Sequence, residues 1–133
     1  MPPRMLIVVD HNSGVPVFRQ LIDQVRFHIA SGLLRAGDEL PSTRALSQQL
    51  GVNPMTVSKA YSLLEEEKMV ERRPGLPLVV RAQSAEAVDG ERLAHLRAAL
   101  EAARIAARQL GISPTKAASV FRRMLDDAAR DEE

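Results

Sequence analysis

The sequence contains no cysteine, so it can form neither a disulfide framework nor a metal site built on thiolates. It also lacks any apolar run close to the roughly 20 residues that a membrane-spanning helix needs. The N-terminal run "MLIVV" is too short for the core of a signal peptide. The three histidines, His11, His28 and His95, are far apart and lack the spacing of metal ligands. These absences predict a cytoplasmic protein without a membrane segment or a metal site.

Patterns typical of catalysis are also missing. The adjacent Asp10 and His11 form no convincing acid–base pair, and Gly75 and Gly90 are isolated rather than part of a phosphate-binding loop. The 133 residues, 45% of them hydrophobic, suffice for one core or for one small domain with an appendage. A net charge of +1 indicates no particular partner. We therefore expect no enzymatic activity and no cofactor.

Helix and strand signals divide the first 82 residues. Pro16 and Gly32 have the positions of a helix start and stop, and Ser42 can cap a second helix that Gly51 ends. Asn53 can cap a third helix, with Pro54 in its first turn. The predicted order is strand, three helices and a hairpin, over residues 4–10, 16–32, 43–50, 53–68 and 69–82.

The third predicted helix has one apolar face and one small polar face. Val57, Ala60, Tyr61, Leu63 and Leu64 form a stripe that we expect to be buried. The opposite face has no acidic residue before the end of the helix, and it carries Met55, Thr56, Ser58, Lys59 and Ser62. Only a few residues separate the second and third helices, which is the spacing of a helix-turn-helix. The hairpin that follows makes the predicted domain winged.

A composition change at residues 83–90 predicts a linker, and an alanine-rich helix over about 90–110 follows it. The apolar residues of that helix recur at alternating spacings of three and four, an a/d heptad pattern. Ser113 and Pro114 begin a last helix, over about 114–130. A two-helix hairpin alone buries too little apolar surface to be stable, so we predict dimerisation. The predicted seam contains Leu93, Leu96, Leu100, Ala103, Ala107, Leu110, Phe121, Met124 and Leu125.

Residues 6–82 resemble the DNA-binding domain of the GntR family of bacterial transcription regulators. The resemblance rests on the ungapped stretch "GLLRAGDELPSTRALSQQLGV" and on "VNPMTVSKAYSLLEEE". The short helical tail is similar to that of the YtrA-like subfamily, whose members lack large effector-binding domains. The resemblance implies a mainly α fold with a small β wing. A winged helix-turn-helix domain (1–82) would precede a linker (83–90) and a two-helix dimerisation region (91–133).

The resemblance also implies that Arg44 contacts double-stranded DNA and that the wing tip near Gly75 lies along the minor groove. The wing reads "GLPL", without the second glycine and the hydroxyl common in relatives, and we expect Arg72 and Arg73 to replace part of that contact. A recognition helix approaches base edges with its N-terminal residues. The predicted DNA-contacting set is Ser42, Thr43, Arg44, Asn53, Pro54, Met55, Thr56, Ser58, Lys59, Arg72, Arg73 and Gly75.

Together these features predict a homodimeric regulator that binds an inverted-repeat operator. The first alternative is a winged-helix module for protein–protein contact that does not bind DNA. The second is a fragment of an enzyme, because some GntR relatives fuse this domain to an aminotransferase-like domain. The sequence leaves open the operator, the sign of regulation and whether an effector binds, although a chain this small has little room for a cavity of about 300 Å³.

Overall fold

A computed structural model describes residues 6–132, which contain five α-helices and one two-stranded antiparallel sheet. Three helices precede the sheet and two follow it. This order confirms the predicted mainly α fold with a small β wing. The elements are α1 (Val17–Ser31), α2 (Thr43–Leu50), α3 (Pro54–Glu66), β1 (Val70–Glu71), β2 (Val79–Val80), α4 (Ala85–Gln109) and α5 (Pro114–Asp131).

Local capping sets most helix boundaries. The side chains of Ser42, Asn53 and Ser113 accept hydrogen bonds from the backbone N–H groups of Ala45, Met55 and Lys116. Each bond satisfies a donor that the first turn would otherwise leave unpaired. At the C-terminal ends of α1 and α2, Gly32 and Gly51 adopt the left-handed conformation, with φ of 84° and 66°. The predicted bounds of the first two helices are therefore confirmed.

The core of the N-terminal unit lies mainly between α1 and α3. The buried faces of these helices have the predicted helical periodicity, and Val57, Ala60, Tyr61 and Leu64 are all buried. Leu63, which we assigned to the same stripe, is only half-buried beside the core. The largest fully buried side chains are Leu21, Ile22, Leu34, Leu46, Leu64, Val25, Val57 and Val70.

The wing is shorter than predicted, and a third segment pairs with it. In the hairpin, Val70 is opposite Val80 and Glu71 is opposite Val79. Glu39 forms an isolated antiparallel bridge with Val79. On either side of it, Leu40 N–H donates to the Leu78 carbonyl and Val80 N–H donates to the Asp38 carbonyl, both at 2.8 Å. The segment before α2 therefore attaches the wing to the helix-turn-helix.

The strand predicted at 4–10 is wrong for residues 6–10, and the rest of it lies outside the described residues. Residues 6–10 have no strand partner. Instead, the Gln24 side chain accepts from Val8 N–H at 2.9 Å and donates to the Val8 carbonyl at 2.7 Å. Gln20 makes the same pair of bonds with Asp10, at 2.9 and 2.8 Å. Two glutamine side chains of α1 thus make the hydrogen bonds to the backbone that a neighbouring strand would make.

The predicted linker 83–90 is largely helical, because α4 begins at Ala85 and not near residue 90. Gly90 lies inside this helix without interrupting it. The chain divides into two compact units after Leu93, which falls within α4. Among the described residues, no helix combines the length and apolar character that crossing a bilayer requires.

Candidate nucleic-acid interface

The N-terminal end of α2 presents one exposed cation. The Ser42 hydroxyl is engaged as the helix cap, at 3.0 Å from Ala45 N, and Thr43 is half-buried. Arg44 is exposed and makes no ion pair within residues 6–132. Its guanidinium is therefore available for an anion outside the chain. Arg44 does contribute its carbonyl oxygen to the fold, since the Ser47 hydroxyl donates to it at 2.9 Å.

The start of α3 presents small or flexible side chains to solvent. Asn53 caps the helix by accepting from Met55 N–H at 2.8 Å, and Pro54 occupies the first turn. Met55 is 75% exposed, Ser58 is exposed and Thr56 is half-buried. The first turn contains no acidic residue. The positive end of the helix dipole therefore faces solvent without a competing carboxylate, which favours a phosphate there. The first N–H groups of the helix are already engaged, since those of Met55 and Thr56 donate to Asn53.

Lys59 stands on the same helix above an aromatic ring. Its Nζ atom lies 3.8 Å from the centroid of the Phe18 ring, and the Arg19 guanidinium carbon lies 5.5 Å from the same centroid. The DNA-contacting set predicted from the sequence contains neither Phe18 nor Arg19. No periodicity in the sequence joins the first turn of α1 to the middle of α3, so only the tertiary structure could bring this cluster together.

Gly75 forms the tip of the wing with φ of +72°, a conformation that side-chain-bearing residues rarely adopt. It lies inside a turn that Leu76 N–H closes by donating to the Arg73 carbonyl at 3.0 Å. The two wing arginines are exposed but paired within the chain. Arg72 lies 3.4 Å from Glu65, and Arg73 lies 2.8 Å from Glu71. Exposed pairs of this kind contribute at most about 1 kcal/mol, so a phosphate can displace either carboxylate.

Tyr61 belongs to the core, as predicted, and not to the exposed face. Its side chain is buried, and burial raises the pKa of its hydroxyl well above the usual range. The hydroxyl consequently stays protonated and acts as a hydrogen-bond donor. Among the described residues, no group of three or more His, Cys, Asp or Glu side chains is arranged to hold a metal ion.

The two C-terminal helices leave their apolar faces in solvent. Neither α4 nor α5 contains a buried residue. On the predicted seam, Leu93 and Leu110 are 67% and 73% exposed, and Met124 is 64% exposed. Leu96, Leu125 and Ala103 are also exposed, whereas Leu100, Ala107 and Phe121 are half-buried. No residue of the predicted seam is fully buried.

A family model described as bacterial regulatory proteins, gntR family, matches residues 18–80, from the second residue of α1 to the end of β2. A solved structure of YtrA from Sulfolobus acidocaldarius, titled a GntR-family transcription factor, is 36% identical in sequence. The match covers 71% of this chain and 98% of that one, with a TM-score of 0.56. The chain belongs to the GntR family. The predicted resemblance is thereby confirmed.

Other GntR comparisons agree with this assignment. The HTH-type transcriptional repressor YtrA of Bacillus subtilis is 40% identical over 70 residues, which make up 53% of this chain and 54% of that protein. This GntR chain thus matches about half the length of that curated relative. A GntR-family regulator from Listeria monocytogenes covers 84% of the chain, and the match covers 97% of that structure, with a TM-score of 0.70 and 24% identity. That likeness shows the winged-helix fold.

Proposed function

We propose that this protein is a sequence-specific DNA-binding transcription regulator that binds an inverted-repeat operator as a homodimer. The observation that carries the proposal is the start of α3. Its capped N-terminus exposes Met55 and Ser58, with Thr56 half-buried between them and no acidic residue in the first turn. A helix of this kind can enter the major groove with its first residues against base edges.

Two classes of DNA contact follow from the chemistry of the exposed side chains. Arg44 and Lys59 are cations without a carboxylate partner among the described residues, and they suit phosphates. Met55, Thr56 and Ser58 are small or flexible enough to approach bases. At the wing, Arg72, Arg73 and Gly75 supply a further contact with the DNA backbone. The two arginines make it by exchanging their glutamate partners for phosphates. The starts of the two helices that carry these groups are shaped by their caps, Ser42 and Asn53, and by their first residues, Thr43 and Pro54.

The apolar surface of α4 and α5 supports the homodimer. Leu96 and Leu100 are one heptad step apart on α4, where Leu96 is exposed and Leu100 is only half-buried. A second copy that covers this seam would remove apolar area from water, at about 25 cal/mol per Å². We assign DNA binding to residues 1–82 and dimerisation to 91–133. Two recognition helices on two half-sites would then bind far more tightly than one.

Occupancy of the operator is the whole mechanism that we propose, without a catalytic step or a cofactor. A cytoplasmic location follows, because the DNA target is there in a bacterium. The competing function is a winged-helix module for protein–protein contact. The carboxylate-free start of α3, with Lys59 on the next turn, favours DNA over that alternative, since a protein-binding face more often has an apolar centre.

Selection of bound sequences from a pool of random duplexes tests the proposal. The selected duplex and a scrambled control are then titrated at several salt concentrations. We expect the selected duplex to bind about 10³-fold or more tightly than the control, with affinity that falls steeply as salt rises. We also expect an inverted repeat in the selected sequence and two protomers per duplex. Weak, salt-independent binding with no enriched sequence would instead favour the protein–protein module.

A further inference from the structure

The aromatic ring of Phe18 lies under the ammonium group of Lys59. The 3.8 Å between Lys59 Nζ and the ring centroid is well within the limit of about 6 Å for a cation–π interaction. The two residues come from different helices, since Phe18 is in the first turn of α1 and Lys59 is in the middle of α3. Lys59 makes no ion pair within the described part of the chain, so the ring is the feature of the fold that attracts its charge.

The Phe18 ring is held in place by the core, whereas the Lys59 side chain is flexible. Phe18 is half-buried and packs against the hydrophobic core, beside the buried faces of α1 and α3. Lys59 is exposed, and its four-carbon side chain loses rotamer entropy when it is immobilised. A ring that already restricts this side chain lowers the entropy lost on binding an anion.

Arg19 is the other cation near the ring, but it is less well placed. Its guanidinium carbon is 5.5 Å from the centroid, at the outer part of the range in which a ring attracts a cation. Arg19 follows Phe18 directly in sequence, whereas Lys59 is on the helix that we assign to the major groove. The ring therefore acts mainly on the lysine of the recognition helix.

We propose that Phe18 is a positioning residue, which holds the Lys59 ammonium in place for a DNA backbone phosphate. The inference rests on the proposed DNA-binding function and adds a residue of α1 to it. An ammonium group has three N–H donors, so a ring on one side leaves donors for phosphate oxygens on the other. Phe18 itself makes no contact with DNA in this proposal.

The opposite effect of the ring on DNA affinity is also physically reasonable, so the sign of the change in affinity distinguishes the two effects. If the ring drew Lys59 away from DNA, removing the ring would strengthen DNA binding. Lys59 forms no ion pair among the described residues, so no carboxylate holds the ammonium in competition with a phosphate, which agrees with the positioning role.

The test uses the full-length protein and the operator duplex selected as described above. Phe18→Leu keeps an apolar side chain but removes the ring, Phe18→Tyr keeps the ring, and Lys59→Met removes the charge but keeps most of the stem. We expect Phe18→Leu to weaken operator binding about threefold to tenfold, and Phe18→Tyr to restore affinity to within about twofold of the unaltered protein. In the Lys59→Met background, Phe18→Leu should cause no further loss.

A second measurement needs no DNA. The ring current of Phe18 should shift the NMR signals of the Lys59 methylene protons nearest the ammonium upfield in the free protein. The shift should disappear in Phe18→Leu and persist in Phe18→Tyr. Ordinary random-coil shifts in the unaltered protein would overturn the proposal even if Phe18→Leu failed to fold.

The remaining outcomes are distinguishable from one another. Equal losses of affinity on Phe18→Leu in the presence and absence of Lys59 would mean that Phe18 acts on the fold alone, which overturns the inference. Tighter binding by Phe18→Leu would mean that the ring withholds the lysine, which also overturns it. If the unaltered protein itself showed no salt-dependent affinity for duplex DNA, the proposed function would fail, and the inference would fail with it.

Discussion

The hydroxyl of Tyr61 donates a 2.8 Å hydrogen bond to the carbonyl oxygen of Pro41. Tyr61 is on the buried side of α3, and Pro41 immediately precedes Ser42, the cap of α2. The bond therefore joins the recognition helix to the beginning of the helix that carries Arg44. Since burial keeps the hydroxyl protonated, this donor remains available wherever the protein is folded.

Tyr61→Phe should lower the free energy of unfolding by about 1–2 kcal/mol, because it leaves the Pro41 carbonyl without its donor while preserving the packing of the ring. Urea denaturation followed by circular dichroism measures the change. Ser62→Ala removes an exposed hydroxyl from the same helix and should change stability by less than about 0.5 kcal/mol. Equal stability of the two variants would show that water replaces the Tyr61 donor at no cost.

Arg44→Met and Lys59→Met should each make the plot of log affinity against log salt shallower by about one unit, if each cation neutralises one phosphate. Lys116→Met is the matched control, because Lys116 lies in the first turn of α5 and outside the proposed interface. Titrations of the selected duplex over a range of salt concentrations give the slopes. Unchanged slopes in both Arg44→Met and Lys59→Met would remove these residues from the interface.

Thr56→Ala should weaken binding to the selected operator by about 1–3 kcal/mol if the side chain reads a base edge. Binding to scrambled duplex should then change little, so the ratio of the two affinities falls. Ser62→Ala, farther along α3, provides the control and should leave both affinities unaltered. A loss of equal size on both duplexes would identify a phosphate contact and not a base contact.

Leu96→Glu combined with Leu100→Glu should convert the dimer to a folded monomer, because the seam would bury two carboxylates without counter-ions, at a cost of several kcal/mol. The N-terminal core, which includes Val25, Leu46 and Val57, should remain intact. Sedimentation gives the mass and circular dichroism gives the helix content. Half-site binding should survive weakly, and tight operator binding should be lost.

Ala98→Glu combined with Ala102→Glu is the matched control for the seam. These positions carry the same two charges on the same helix, but the heptad assigns them to its outer face. This variant should remain a dimer with unaltered operator affinity. If the seam variant also stayed dimeric, the dimer contact would lie elsewhere and α4 and α5 would serve another purpose.

The bounds of several helices could be predicted from short-range sequence signals alone. The bounds of α2 and the starts of α3 and α5 agree with the caps at Ser42, Asn53 and Ser113, because a cap and its helix lie within a few residues of each other. The buried side of α3 followed from the helical periodicity of its apolar residues, which places them on one face of the helix. The family resemblance depended on the same region and could be recognised before any contact was known.

Other features depended on contacts that are distant in sequence. Composition could not show that residues 85–90 belong to α4, because a glycine costs a helix only about 1 kcal/mol relative to alanine and a helix of 25 residues tolerates one at Gly90. The bond between Glu39 and β2, and the glutamines that hold Val8 and Asp10, join residues at least ten positions apart.

The sequence by itself determined the family, the helix-turn-helix and the exposed start of the recognition helix, because each of these arises from neighbouring residues. Only the tertiary structure decided which groups surround Lys59. Its position over Phe18 requires α1 and α3 to pack together, and that packing comes from the shared apolar core and not from either local sequence. For the same reason, the pairing of Arg72 with Glu65 could be seen only once the wing had folded beside α3, whereas Arg73 pairs with Glu71 inside the wing itself.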